Sequence, residues 1–195
     1  MTARRRPALA SLVAVLAMLA LSACGASHKP LTHEDNTGAG GVNSDYITLD
    51  NLKYQVQVSR QLNPYSTEDG DYLSGIPAGG LYPPAGQLWF GVFLLVLNPT
   101  KHPEPAVSSF SLSDTQNDVY KPVALPAGNP YAYRPLTLAG GQQIPQVDST
   151  AYYDDTQASL LLFKINQSAY ANRPLTLTLV DPENPAKTGT VTLDF

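Results

Sequence analysis

Cysteine is almost missing from this chain: one stands among 195 residues. The fold therefore has to hold without an internal disulfide. Histidine is scarce too, with three in the whole sequence. His28 and His33 sit close together, but no cysteine or third histidine completes a metal set around them. His102 stands in the loop NPTKHPEP with no G-x-S-x-G motif to accompany it, which weighs against a Ser–His–Asp hydrolase. No apolar run reaches the length of about 20 residues that a membrane-crossing helix needs; the run from Ala8 to Leu21 has 14 residues. A sustained helical period is absent as well. The 17 prolines fall mostly between strand-like segments, where they break neither a helix nor a ladder.

What is present begins with Arg4, Arg5 and Arg6, followed by that short apolar run and then by small residues. A cationic start, an apolar centre and a small-residue end are the parts of an export signal. The end reads Leu21-Ser22-Ala23-Cys24. This tetrad resembles the lipobox of bacterial lipoproteins. The resemblance implies that the leader is cut before Cys24, that its sulfur carries a diacylglyceryl group, and that its new amine is open to acylation. Each buried methylene contributes about 0.8 kcal/mol, so two or three chains anchor stably where one does not. Loss of the leader takes Lys plus Arg from 12 to 9 against 16 acidic residues, a net charge of −7. The remaining cations are scattered singly. Nucleic acid is thereby excluded as an expected partner, because phosphate contacts need clustered Lys and Arg.

Three regions follow from this reading: a signal peptide over 1–23, the lipidated Cys24 with a flexible linker over 24–45, and one folded domain over 46–195. Gly25 to Asp45 is polar and glycine-rich, and it cannot bury enough to offset its ordering entropy. As a flexible tether it spans roughly 25 Å. The 150 residues that remain are one domain's worth.

Strands dominate that domain. Leu52, Tyr54, Val56 and Val58 alternate with polar residues, which places them on one buried face. Leu88 to Leu97 and Ser159 to Ile165 are apolar on both faces, as central strands are. Phe110–Ser113 and Val119–Val123 flank the turn cluster DTQND, so a hairpin is expected. Tyr133–Leu138, Leu175–Leu179 and Thr190–Phe195 complete the set. Seven or eight strands separated by turn signals predict an all-β fold, an antiparallel two-sheet sandwich, with a barrel as the other arrangement. The order NLKYQVQVSRQLNP, LWFGVFLLVLNPT, FSLSDTQNDVYKPV and RPLTLTLV…GTVTLDF is similar to the immunoglobulin-like, telokin-like domain of lipoproteins from Gram-positive bacteria, actinobacteria especially. The resemblance implies the immunoglobulin-like form of the sandwich and brings no catalytic or ligand residues with it. The chain departs from it in the long stretch from Asn63 to Gln87, and from antibody domains in keeping only Trp89 of their Cys–Trp–Cys core.

Chemistry is thinly represented. The acidic residues cluster in turns: Glu68, Asp69 and Asp71; Asp114 and Asp118; Asp154 and Asp155; Asp181 and Glu183. Such carboxylates act as a hydrolytic pair only across a cleft, and STEDGDY offers oxygen donors to calcium without the full spacing of an EF-hand. The Gly-Gly pairs lack the strand, helix and lysine of a phosphate loop.

Two features point to binding. The outer faces of the two central strands need a cover, supplied either by the chain's own 63–87 stretch, through Ile76, Leu81 and Tyr82, or by a partner or second copy. That stretch also carries Tyr65, Tyr72 and Tyr82, which with Trp89 form the candidate partner surface, since tyrosines give contact area at low entropic cost. The expected protein is an exported, extracytoplasmic bacterial lipoprotein, held on the membrane through Cys24. It acts as a non-catalytic binding or envelope-support module with a protein partner and no cofactor or bound metal. The alternative, a solute- or metal-binding lipoprotein serving a transporter, calls for an enclosed pocket or converging oxygen ligands.

Overall fold

The structure, a computed structural model, describes residues 46–193; the leader, the lipobox with Cys24 and the linker lie outside the described residues. Two antiparallel sheets pack face to face. The larger runs β1 (Tyr46–Leu49), β2 (Leu52–Leu62), β3 (Gln87–Leu97), β10 (Ser159–Asn166) and β7 (Pro122–Val123), with β9 (Gln143–Ile144) joined to the end of β3. The smaller runs β12 (Thr188–Leu193), β11 (Leu175–Val180), β5 (Ser109–Ser113) and β6 (Val119–Tyr120). A separate pair, β4 (Glu104–Pro105) and β8 (Thr137–Leu138), closes one side. Among the described residues, three short α-helices interrupt the strands, α1 (Thr67–Tyr72), α2 (Ala78–Leu81) and α3 (Thr150–Tyr153), and a 3-10 helix, Gln167–Tyr170, follows β10.

β1 and β2 turn at Asp50 and Asn51, both at positive φ between the paired Leu49 and Leu52. Aspartate and asparagine tolerate that left-handed backbone better than other side chains, and two-residue hairpins require it. The predicted hairpin is present, with Leu112 opposite Tyr120. The chain then changes sheets across Lys121, and Val123 pairs with Leu162 of β10. Tyr133–Leu138 is largely irregular; only Thr137 and Leu138 form a strand.

Alternating residues of β3 and β10 separate as the sequence predicts. Phe90, Val92, Leu94, Val96, Leu161, Phe163 and Ile165 face the smaller sheet, where they meet Leu112, Leu175, Leu177 and Leu179. Each such side chain, taken from water, contributes about 1.5–3 kcal/mol. Trp89, Phe93, Leu160 and Leu162 face the other way, into a second apolar cluster.

β2 departs from its predicted alternation. Val56 lies opposite Leu94, yet Val58 lies opposite Phe93, so Gln57 is an extra residue with no counterpart. This β-bulge reverses the facing of the rest of the strand. Leu52, Tyr54 and Val56 belong to the inter-sheet core, whereas Val58 and Leu62 pack into the second cluster.

Candidate functional site

The second cluster is covered by the chain itself. β2 runs directly into the 63–87 stretch, which crosses the outer face of the large sheet and returns as β3. Its first turn is held by Asp69. One oxygen of this carboxylate accepts from the amide of Asn63 at 2.7 Å, and the other lies 2.6 Å from the Arg60 guanidinium. α1 thereby sets Tyr72 and Leu73 on the sheet, with Ile76 and Leu81 packed at the edge of the same cluster. The Tyr72 ring meets Phe93 and Tyr131 edge-on at 4.8 Å and 4.7 Å. Its hydroxyl donates to Asp154 at 2.9 Å. Burial, then the bond and charge of Asp154, raise this phenol well above its ordinary value.

These contacts divide the predicted tyrosine and tryptophan surface in two. Tyr72 is 5% exposed and Trp89 is 2% exposed, so both are core residues rather than parts of an open surface. Trp89 is further committed, because its indole N–H donates to the Leu81 carbonyl at 2.7 Å. Tyr65 and Tyr82 do stand in solvent, at 80% and 49% exposure. Their rings lie against each other, 4.9 Å between centroids and tilted by 31°. The Asn63 side chain fixes the approach to Tyr65 by accepting from its amide at 3.0 Å. Pro64 and Pro83 flank the pair, and together they wall an open cleft of about 180 Å³ that includes Gln61, Gln87 and Gln167. In sequence the three tyrosines look alike; only the path of the 63–87 stretch tells them apart.

A larger open groove, of about 460 Å³, runs beside Arg60, Glu68, Tyr72, Asp154 and Asp155. Arg60 there pairs with Asp69 and Glu68, and Asp154 accepts from Tyr72. Two further turn carboxylates serve their own turns. Asp114 accepts from the amides of Gln116 and Asp118, and Asp181 accepts from those of Glu183 and Asn184. Among the described residues no group of three or more His, Cys, Asp or Glu could hold a metal ion. His102 is exposed, in a loop pinned by the Asn98 amide, which donates to the carbonyls of His102 and Leu138. Among the described residues no helix is long and apolar enough to cross a membrane.

No protein-family model matches this chain, and no curated protein matches it in sequence. Partial structural alignments are found among solved structures. A candidate lipoprotein of Bacillus subtilis, ycdA, aligns at 13% identity and a TM-score of 0.46 over 76% of this chain. The chain spans only 38% of that protein. The yjhA protein of the same organism aligns at 15% identity and 0.46, covering 76% of this chain and 96% of its own. A functionally unknown protein of Listeria monocytogenes aligns at 11% and 0.44, covering 77% and 80%.

Proposed function

We propose that this chain is a bacterial lipoprotein, tethered to the outer face of the cytoplasmic membrane through acyl chains on Cys24, and that its domain binds rather than catalyses. The observation that carries the anchor is the lone cysteine placed at the end of Leu21-Ser22-Ala23-Cys24, behind three arginines and a short apolar run. A free thiol gains nothing at that position, whereas a lipidated one holds the protein. Support for binding comes from the exposed Tyr65–Tyr82 pair, a feature that contributes little to the core. We take the sandwich itself as an elaborated immunoglobulin-like domain, whose extra 63–87 stretch both covers the sheet and presents the pair.

The anchor is tested by metabolic labelling with palmitate and by Cys24→Ser. The wild-type protein is expected to take up label and to sediment with membranes. The variant is expected to lose label and appear in the medium. An unlabelled wild-type protein, or a variant that stays on the membrane, overturns the reading.

A further inference from the structure

We infer that the Tyr65–Tyr82 cleft is a subsite for one ring of a neutral polysaccharide; this rests on reading the domain as an extracytoplasmic binding module. Among the described residues no charged side chain lines the cleft. Ligands recognised through phosphate, carboxylate or ammonium groups need a charged or bidentate partner there. The expected net charge of −7 after leader removal also works against polyanions.

What the cleft does offer matches a sugar. A pyranose ring has a C–H face that packs on an aromatic ring, and a rim of hydroxyls that donate and accept together. Tyr65 and Tyr82 supply exposed aromatic surface, held in place before any ligand arrives by their mutual contact and by the Asn63 turn. Preorganised groups bind with less entropic cost. Gln61, Gln87 and Gln167 line the same cleft. A primary amide carries two donors and an acceptor, the complement of a hydroxyl pair. Among the described residues, the side-chain amides of these glutamines have no hydrogen-bond partner, so their capacity is unspent. By contrast, the Trp89 N–H is taken by Leu81, which removes the indole donor that an extended proline-rich peptide would use.

Size decides between a free sugar and a polymer. The cleft holds about 180 Å³, whereas pockets that enclose a small molecule run from about 300 to 1,000 Å³. It can seat one ring and is open to the rest of a chain.

The test uses the mature lipoprotein in detergent. The probes are soluble oligomers of N-acetylglucosamine, β-glucan and α-glucan, with a polyuronate and a polyphosphate as charged polymers, read by affinity electrophoresis and calorimetry. At least one neutral series is expected to bind, with little dependence on salt. Tyr65→Ala and Tyr82→Ala are each expected to weaken it about tenfold, the loss of one aromatic contact, with Gln87→Ala weaker in effect. All three variants are expected to melt as the wild type does. Failure of every neutral series, binding of charged polymers only, or unchanged affinity in both tyrosine variants overturns the proposal. Photo-crosslinking from position 82 to a protein, with no neutral series bound, overturns the sugar and leaves the binding module standing.

Discussion

Tyr54 and Tyr133 hold the same residue: the amide of Val107 donates to the Tyr54 hydroxyl at 3.0 Å, and the Tyr133 hydroxyl donates to the Val107 carbonyl at 2.7 Å. The two phenols thus satisfy both backbone groups of a buried residue that lies in neither sheet. Tyr54→Phe leaves the Val107 N–H without a partner in the core and is expected to cost about 1–3 kcal/mol. Tyr133→Phe is expected to cost less, since a carbonyl tolerates poor pairing better than an N–H. Urea titrations of both single variants and the double variant check this, and the double loss is expected to fall short of the sum.

Burial raises both phenols above the ordinary value of 10.0, with the charges of Asp181 and Asp50 adding to the effect at Tyr54. In the unfolded chain they ionise near pH 10; in the folded protein they keep their protons to higher pH. The unfolded state therefore binds fewer protons above that point. Stability from these groups is whole below about pH 10 and falls as the pH rises beyond it. Melting temperatures measured across the alkaline range are expected to drop more steeply for the wild type than for the Tyr54→Phe, Tyr133→Phe double variant.

Deleting Gln57 is expected to be mild, which is unusual for the middle of a strand. The residue has no counterpart on β3, and its removal leaves Val58 opposite Phe93. Deleting Ser59 instead would turn Arg60 toward the inter-sheet core and Leu62 away from the second cluster, a facing reversal that strands do not tolerate. Circular dichroism and melting of the two deletion variants separate the cases: a folded first and an unfolded second is the expected result.

Gly189→Ala is expected to destabilise by about 1–3 kcal/mol. An added Cβ would sit 2.5 Å from Cγ2 of Ile47, where β12 meets β1. That methyl is on a β-branched side chain with little freedom to move. Ile47→Ala removes it, so the pair of substitutions is expected to recover part of the loss that the glycine change causes. A double-mutant cycle on thermal melts reads the coupling directly.

Asp69→Ala removes both the acceptor for the Asn63 amide and the partner of Arg60. The 63–87 stretch is expected to loosen, at a cost of about 1–3 kcal/mol. Faster proteolysis within that stretch and lost exchange protection at Leu73, whose amide donates to the Asp69 carbonyl, are the readouts.

The central strands were legible because both of their faces are apolar, a pattern that only a doubly covered strand shows. Leu88–Leu97 and Ser159–Ile165 needed no tertiary information to be placed. The bulge was hidden, since Val58 continues the alternation of Val56 and nothing in the letters marks Gln57 as supernumerary. Helices of four to six residues, such as Thr67–Tyr72, are too short to show a period. The candidate surface was half legible for a similar reason. Tyr65 and Tyr72 are equal as letters, and the Asp69 turn alone puts one in solvent and the other on Phe93.

The order of segments along the chain has a mechanical side. Whatever precedes Tyr46 enters through β1, and β2 passes straight into the stretch that bears Tyr65. A pull on Tyr65 against the N-terminal end therefore travels lengthwise down β2, whose ladder to β3 runs from Lys53 to Leu62. Both pull points lie on that one stretch of chain, so its covalent backbone bears the tension, and the short β1–β2 pairing meets the load before the ladder to β3 does.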